Sequence, residues 1–313
     1  MDNRLTKKRL SDFFAYEWIM TIIIVIAAIL TLELVYTVSA TRLSTGQQFK
    51  YYFDETLYDQ PTGDFYELLG VNIGENGKTF SYDVLSVQSE NILSSYNVLS
   101  ARLSVQEGDA IFTSKKENEN GSVNAKTIVD DYPVYDFASL KTHAKEYLSQ
   151  FLSDSVHGDV YNEQDYDETA IRAYFDKRMK GDNRFRTEED KEQGRLNEIA
   201  RIKKLAKETK DFEKLLSFGE ETGLFFVYTR FEQAAANGSE TVTPESESKI
   251  FGLNLHALTG KRNVSDYFKI ANSDNAEDVV LVLFDFSSYQ YDLQFECISF
   301  LNTLVREFSN FLD

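Results

Sequence analysis

The longest apolar run stands near the amino terminus. Trp18 to Leu32 carries no charge, and beyond Glu33 the run resumes from Leu34 to Ala40, with Arg42 soon after. A bilayer crossing needs about 20 mostly apolar residues, so residues 17–40 predict one transmembrane helix. Trp18 and Tyr36 bracket it as interfacial aromatics do, and Arg4, Lys7, Lys8 and Arg9 precede it. Such a basic flank marks the cytoplasmic side. That places a basic tail, residues 1–16, inside the cell membrane and residues 41–313 outside it. A cleaved signal peptide competes with this reading, because Val38-Ser39-Ala40 resembles a cleavage site. The run nevertheless exceeds the ~7–15-residue core of such peptides.

Residues 41–313 alternate between strand and helix patterns. Phe49–Phe53 reads as a strand, Asp59–Gly63 as a turn, and Thr79–Val87 alternates as a strand does. Ile92, Tyr96, Leu99 and Leu103 share one helix face. Glu107-Gly108 suits the end of that helix, and Asp109–Thr113 resumes as a short apolar strand. Strand, helix and strand in this order make a βαβ unit, and hence an α/β sheet. Ser114–Lys126 is a polar loop, and Ile128–Tyr135 is extended ahead of and around Pro133. Residues 139–219 are rich in helix. Ser139–Leu152 has helical spacing; Ile171, Tyr174 and Phe175 form one stripe, and Leu196, Ile199, Ile202 and Leu205 another, opened by a cap at Thr187. Leu224–Thr229, Lys249–Leu255 and Val279–Phe286 are buried-strand patterns, with a polar loop over Asn237–Ser248. A closing helix carries Phe295, Ile298, Leu301, Val305, Phe308 and Leu312 on one face, with Cys297 in the core.

Composition narrows the chemistry. The chain has 33 Lys and Arg against 51 Asp and Glu, a net charge of −18. Nucleic acid binding is disfavoured, because phosphate contacts require a basic surface. Residues 1–40 hold equal numbers of basic and acidic residues, so the body carries the whole net charge and is not drawn to anionic lipid. One cysteine excludes an intramolecular disulfide, and three histidines leave a Cys/His metal site short of ligands. A chain with so little cysteine fits an exported bacterial domain that does not use disulfides. No phosphate-binding loop, serine elbow or calcium loop is present. Neither a cofactor nor a catalytic residue is predicted, and the sequence reads as a non-enzyme.

One segment carries a resemblance. Ser95–Phe112 runs as a helix, a Glu107-Gly108-Asp109 corner and an aliphatic strand. It resembles the early part of the extracellular solute-binding proteins of ABC importers, particularly the sugar-binding group. Tyr132–Phe137 then falls where such chains pass toward their hinge. The resemblance implies a mixed α/β ectodomain of two lobes with ligand between them, and Gly108, Asp109, Tyr132 and Tyr135 lining the cleft. It departs from the family in having a transmembrane helix, no lipid-anchor cysteine, and its one tryptophan, Trp18, in the membrane segment. The expected function is an anchored extracytoplasmic protein that captures a small polar, sugar-like solute and works with a transporter permease. The alternative is a non-catalytic envelope scaffold or accessory subunit that keeps the fold and docks another membrane protein.

Overall fold

A computed structural model describes residues 7–13, 18–39, 47–54, 63–70, 79–92, 96–116, 124–153, 160–219, 222–233, 242–244, 247–268, 277–285 and 295–313. The chain separates into two compact units, residues 1–42 and 43–313. In the first, α1 (Lys7–Asp12) precedes α2 (Trp18–Ser39), which has a mean hydropathy of 2.6 over Trp18–Tyr36. Trp18 to Tyr36 are exposed throughout, as lipid-facing positions are. This helix is long and apolar enough to cross a bilayer, and a signal sequence has the same character. The cleavage motif at Ala40 lies outside the described residues.

The second unit is built on one six-stranded mixed sheet in the order β2-β1-β3-β8-β7-β4. Its strands are β1 (Gln48–Asp54), β2 (Ser86–Ile92), β3 (Ala110–Ser114), β4 (Phe225–Tyr228), β7 (Lys249–Asn254) and β8 (Val279–Leu283). A separate pair, β5 (Phe231–Gln233) and β6 (Val242–Pro244), forms a two-stranded ribbon. β1 pairs in parallel with β2 and β3, whereas β8 runs antiparallel between β3 and β7. Gly252 makes the β7–β8 approach possible, since a Cβ there would stand 2.7 Å from the Leu281 carbonyl oxygen. Side chains alternate across this sheet. Tyr51, Phe53, Phe112 and Leu281 pack on one face with α6 (Phe137–Ser149), α8 (Glu188–Leu216) and α9 (Glu296–Phe308). Tyr52, Ile111, Val280 and Val282 pack on the other with α4 (Tyr96–Ser104) and α5 (Ala125–Asp131). The remaining helices are α3 (Gly63–Leu68) and α7 (Glu168–Arg178). β2 is the polar exception, with Gln88 and Ser89 exposed.

Several local expectations need correction. Residues 79–85 are a looped segment, and β2 begins only at Ser86 and includes Ile92. The loop prevails because distant groups hold it: Ser81 N–H donates to Glu296, Tyr82 hydroxyl to Glu198, and Asp83 meets Arg178. Ile128–Asp131 is helical rather than extended, because Asn124 and Thr127 form a reciprocal cap that starts α5. Pro133 then forces Tyr132 out into an extended backbone. The left-handed residue after α4 is Gln106, at φ 59°, while Gly108, at φ 118°, turns the chain into β3. Leu196 is 46% exposed and α9 ends before Leu312. The Asp59–Gly63 turn up to residue 62, and most of the Ser114–Lys126 and Asn237–Ser248 loops, lie outside the described residues, and Gly63 itself opens α3.

A buried charge network ties the helices to that loop. Arg201 and Glu198, 2% and 0% exposed, pair at 2.7 Å, and Arg201 donates to the Tyr147 hydroxyl at 2.5 Å. Arg178 bridges Asp83 at 2.6 Å and Glu198 at 2.7 Å, and Arg184 joins Asp83 to Asp182. Burial works against ionised Glu198, but Arg201 and Arg178 hold its carboxyl below the usual range, while burial raises that of Asp83. Removing one partner strands the other charges in the interior. Glu198→Ala is therefore expected to lower stability by about 3–5 kcal/mol, read as a lower urea midpoint. Replacing Glu198 and Arg201 together by Leu and Met should restore most of that loss; a double variant no better than the single one would contradict the assignment.

Candidate functional site

The parallel strands end in polar residues. β1, β2 and β3 run together, and β7, antiparallel to β8, runs with them, so their carboxyl ends share one edge of the sheet. Asp54 closes β1, Asn91 stands one residue before the end of β2, Thr113 and Ser114 close β3, and Asn254 closes β7. Asp54, Thr113, Ser114 and Asn254 are all buried. Each follows a strand whose preceding residues belong to the apolar layers, so the change to polar side chains comes only where backbone pairing stops. Thr113 hydroxyl donates to Asp54 Oδ2 at 2.9 Å. Asn254 donates to the carbonyls of Gly223 and Phe225 at 2.7 and 2.9 Å. The buried side-chain oxygens of Asn91 and Asn254 accept no hydrogen bond among the described residues. Asn91 stands opposite Phe53 in register, whereas Asp54 and Thr113 sit on the Tyr52 side. The polar groups therefore straddle the edge from both faces.

This is also the place where the connections reverse. β1 has β2 on one side and β3 on the other. Open α/β sheets bind ligands beyond the carboxyl ends of strands at such a reversal, because the crossovers part there and leave a crevice. The groups present are a carboxylate, two amide oxygens with spare acceptor capacity, and two hydroxyls. They suit a ligand rich in hydroxyl or amine donors. Among the described residues no cluster of three or more His, Cys, Asp or Glu is placed to hold a metal ion.

The residues singled out from sequence lie at the opposite edge. Gly108 is buried beneath Tyr52, whose ring carbon a Cβ would approach to 2.2 Å, and Tyr52 hydroxyl donates to the Glu107 carbonyl at 2.8 Å. Asp109 is bound to β1 twice: its carboxylate accepts from Lys50 N–H, and its own N–H donates to the Lys50 carbonyl, both at 2.7 Å. Phe284 N–H donates to the Asp109 carbonyl, Asp285 N–H to that of Pro133, and Tyr135 N–H to that of Leu283. Tyr132 places its hydroxyl 2.7 Å from Ser100, and its carbonyl accepts from Arg230 at 2.6 Å. The structure thus gathers Gly108, Asp109, Tyr132 and Tyr135 where β3 begins and β8 ends. Around them Lys50, Glu90, Arg102 and Glu107 close a ring of ion pairs of 2.5 to 3.1 Å. Cys297 is buried, and desolvation, with Asp109 next in effect, pushes its thiol well up, so it stays protonated and unreactive.

Comparison with known proteins finds no matching family model, no matching curated protein and no matching solved structure. The two edges therefore have to be judged on geometry. At the amino edge the Asp109 carboxylate and the backbone of Asp109 and Tyr135 are used in joining strands; at the carboxyl edge the Asn91 and Asn254 oxygens accept no hydrogen bond among the described residues. The signal for Asp54, Thr113 and Asn254 was present in the sequence as polar residues ending apolar strands, but its meaning depends on strand order, and Asn91, in the polar strand β2, gave no such signal.

Burial pushes the Asp109 carboxyl up to about 7, against the opposing bond from Lys50 N–H. An unfolded aspartate loses its proton near 3.8. Between these values the folded chain holds the extra proton, so stability falls as pH rises, by at most ~4 kcal/mol. Urea midpoints at pH 5 and pH 7.5 should differ more in the parent protein than in Asp109→Asn. Equal differences would remove Asp109 as the source.

Proposed function

We propose that this chain is a membrane-anchored, extracytoplasmic binding protein that captures a small polar, sugar-like solute at the carboxyl edge of its sheet for a transporter of the ABC type. The observation that carries the reading is the set of buried acceptors at that edge, with the Asn91 and Asn254 oxygens lacking a partner among the described residues. A buried acceptor without a partner costs about 1–3 kcal/mol, which a ligand hydroxyl would recover on binding. The reversal of connections about β1 supports a ligand site at that edge, and α2, long and apolar enough to cross a bilayer, is the anchor in this reading. No covalent step is assigned.

A second reading is favoured by the body forming one compact unit, residues 43–313. A two-lobed importer subunit closes on its ligand, whereas a body built on one sheet suits an accessory subunit or scaffold of a membrane complex.

Calorimetry of the full-length protein against sugars, oligosaccharides and amino acids separates the two. Solute capture predicts saturable binding that weakens about tenfold or more in Asn91→Ala and Asp54→Ala. Uniformly absent heats, together with recovery of a stoichiometric membrane protein partner, would replace solute capture by the scaffold reading. Intact mass of the membrane-extracted chain tests the anchor, since cleavage after Ala40 would remove α2.

A further inference from the structure

Past the carboxyl end of β7 the chain makes a short 3-10 turn at Leu255–Ala257, reaches Gly260, and makes a second turn at Val264–Asp266. Gly260 is held against the segment after α9: it bridges to Ser309, and its φ of +112° places the missing Cβ 2.6 Å from the Asn310 amide nitrogen. Leu258 and Val264 turn inward and are buried at 2% and 5% exposure, so the loop is anchored on both sides. Between these anchors residues 256 and 258–265 line a cleft of about 390 Å³. That volume lies within the ~300–1,000 Å³ range of small-molecule sites.

The cleft is lined by Lys261, Arg262 and His256 and by no acidic residue, in a chain of net charge −18. Lys261 is fixed in place by Asp313 Oδ1 at 2.6 Å and the Arg306 carbonyl at 2.8 Å. Arg262 is different. Its side chain is 52% exposed, its one ionic neighbour among the described residues is Glu307 at 3.6 Å, and that distance is too long for a hydrogen bond. Arg262 makes no hydrogen bond among the described residues, and neither does the imidazole of His256 on the cleft wall. A guanidinium presents planar paired donors that match two oxygens of a carboxylate or phosphate.

We propose that the cleft lined by residues 256 and 258–265 binds a small molecule through a carboxylate or phosphate group, held by the guanidinium fork of Arg262 with Lys261 and His256 beside it. This site is separate from the acceptor groups at Asp54 and Asn91, and it does not depend on solute capture there. An oxyanion would displace the weak Glu307 contact, so Glu307 acts as an internal competitor.

The test uses full-length protein in phosphatidylcholine nanodiscs, titrated calorimetrically with inorganic phosphate and with acetate. Saturable binding of at least one is expected. Arg262→Gln should weaken it about tenfold or more, the loss of one charge-assisted hydrogen bond, and Arg262→Lys should restore part of it. Glu307→Gln should tighten binding, a change that no folding defect would produce. No saturable heat with either anion, or equal affinity in the parent and Arg262→Gln, would overturn the proposal. In nanodiscs containing phosphatidylglycerol, weaker phosphate binding would assign the site to a lipid headgroup, and unchanged binding to a soluble anion.

Discussion

Everything in the body depends on β8 being an interior strand. Its five residues are wholly buried, and it bonds to β3 on one side and β7 on the other, running against both. The chain leaves the sheet after β3, builds its helical layer, and returns through β4 and β7. Without β8 the parallel strands β2, β1 and β3 and the antiparallel pair β7 and β4 would be two separate small sheets. An uninterrupted apolar strand can occupy such a place because both of its faces meet packed layers. Val280, Leu281 and Val282 each face a residue of β3 on one side and of β7 on the other, Leu281 standing between Phe112 and Leu253, so β8 sets the register on either side.

The helical layer is held by a second kind of force. Apolar packing covers most of α6, α8 and α9, yet Glu198 and Arg201 face inward from α8. Burying ions is expensive, and paired ions in a protein interior seldom add net stability over apolar residues of similar shape. What they contribute is position. Tyr82 and Asp83 meet partners on α7 and α8, so a segment without regular structure acquires one location relative to two helices. The Lys50, Glu90, Arg102 and Glu107 ring is partly solvated and ties α4 to β1 and β2 in the same manner.

These contacts explain which parts of the structure were legible in the sequence. β1, β3, β7 and β8 follow from local apolar runs, α8 from the Ile199, Ile202 and Leu205 stripe and the Thr187 and Asp190 cap, and the buried position of Cys297 from helical spacing. Residues 79–85 were not legible, because Phe80 and Val84 are buried as in a strand while Tyr82 is bound to a group 116 residues away. α5 is only seven residues long and is made by its cap, a weaker signal than Pro133 close behind it. Gly108 was read as the left-handed end of the helix, a place that Gln106 takes; Gly108 instead serves the turn into β3, where its positive φ makes a strand junction. The carboxyl edge stayed hidden because Asp54, Asn91, Thr113 and Asn254 are far apart in sequence, and only the insertion of β8 brings the end of β7 level with the ends of β1 to β3.

The hydrophilic character of β2 bears on how this molecule avoids pairing with other chains. A sheet's outermost strand offers unsatisfied backbone groups to any extended chain, and long apolar borders recruit neighbours into fibrils. Here that border displays Gln88, Ser89 and a Glu90 already engaged with Lys50 and Arg102. A second copy laid alongside would have to dehydrate these groups and compete with existing ion pairs. The wholly apolar β8 is kept to the middle, and the β2 margin of the sheet is left unattractive for self-association.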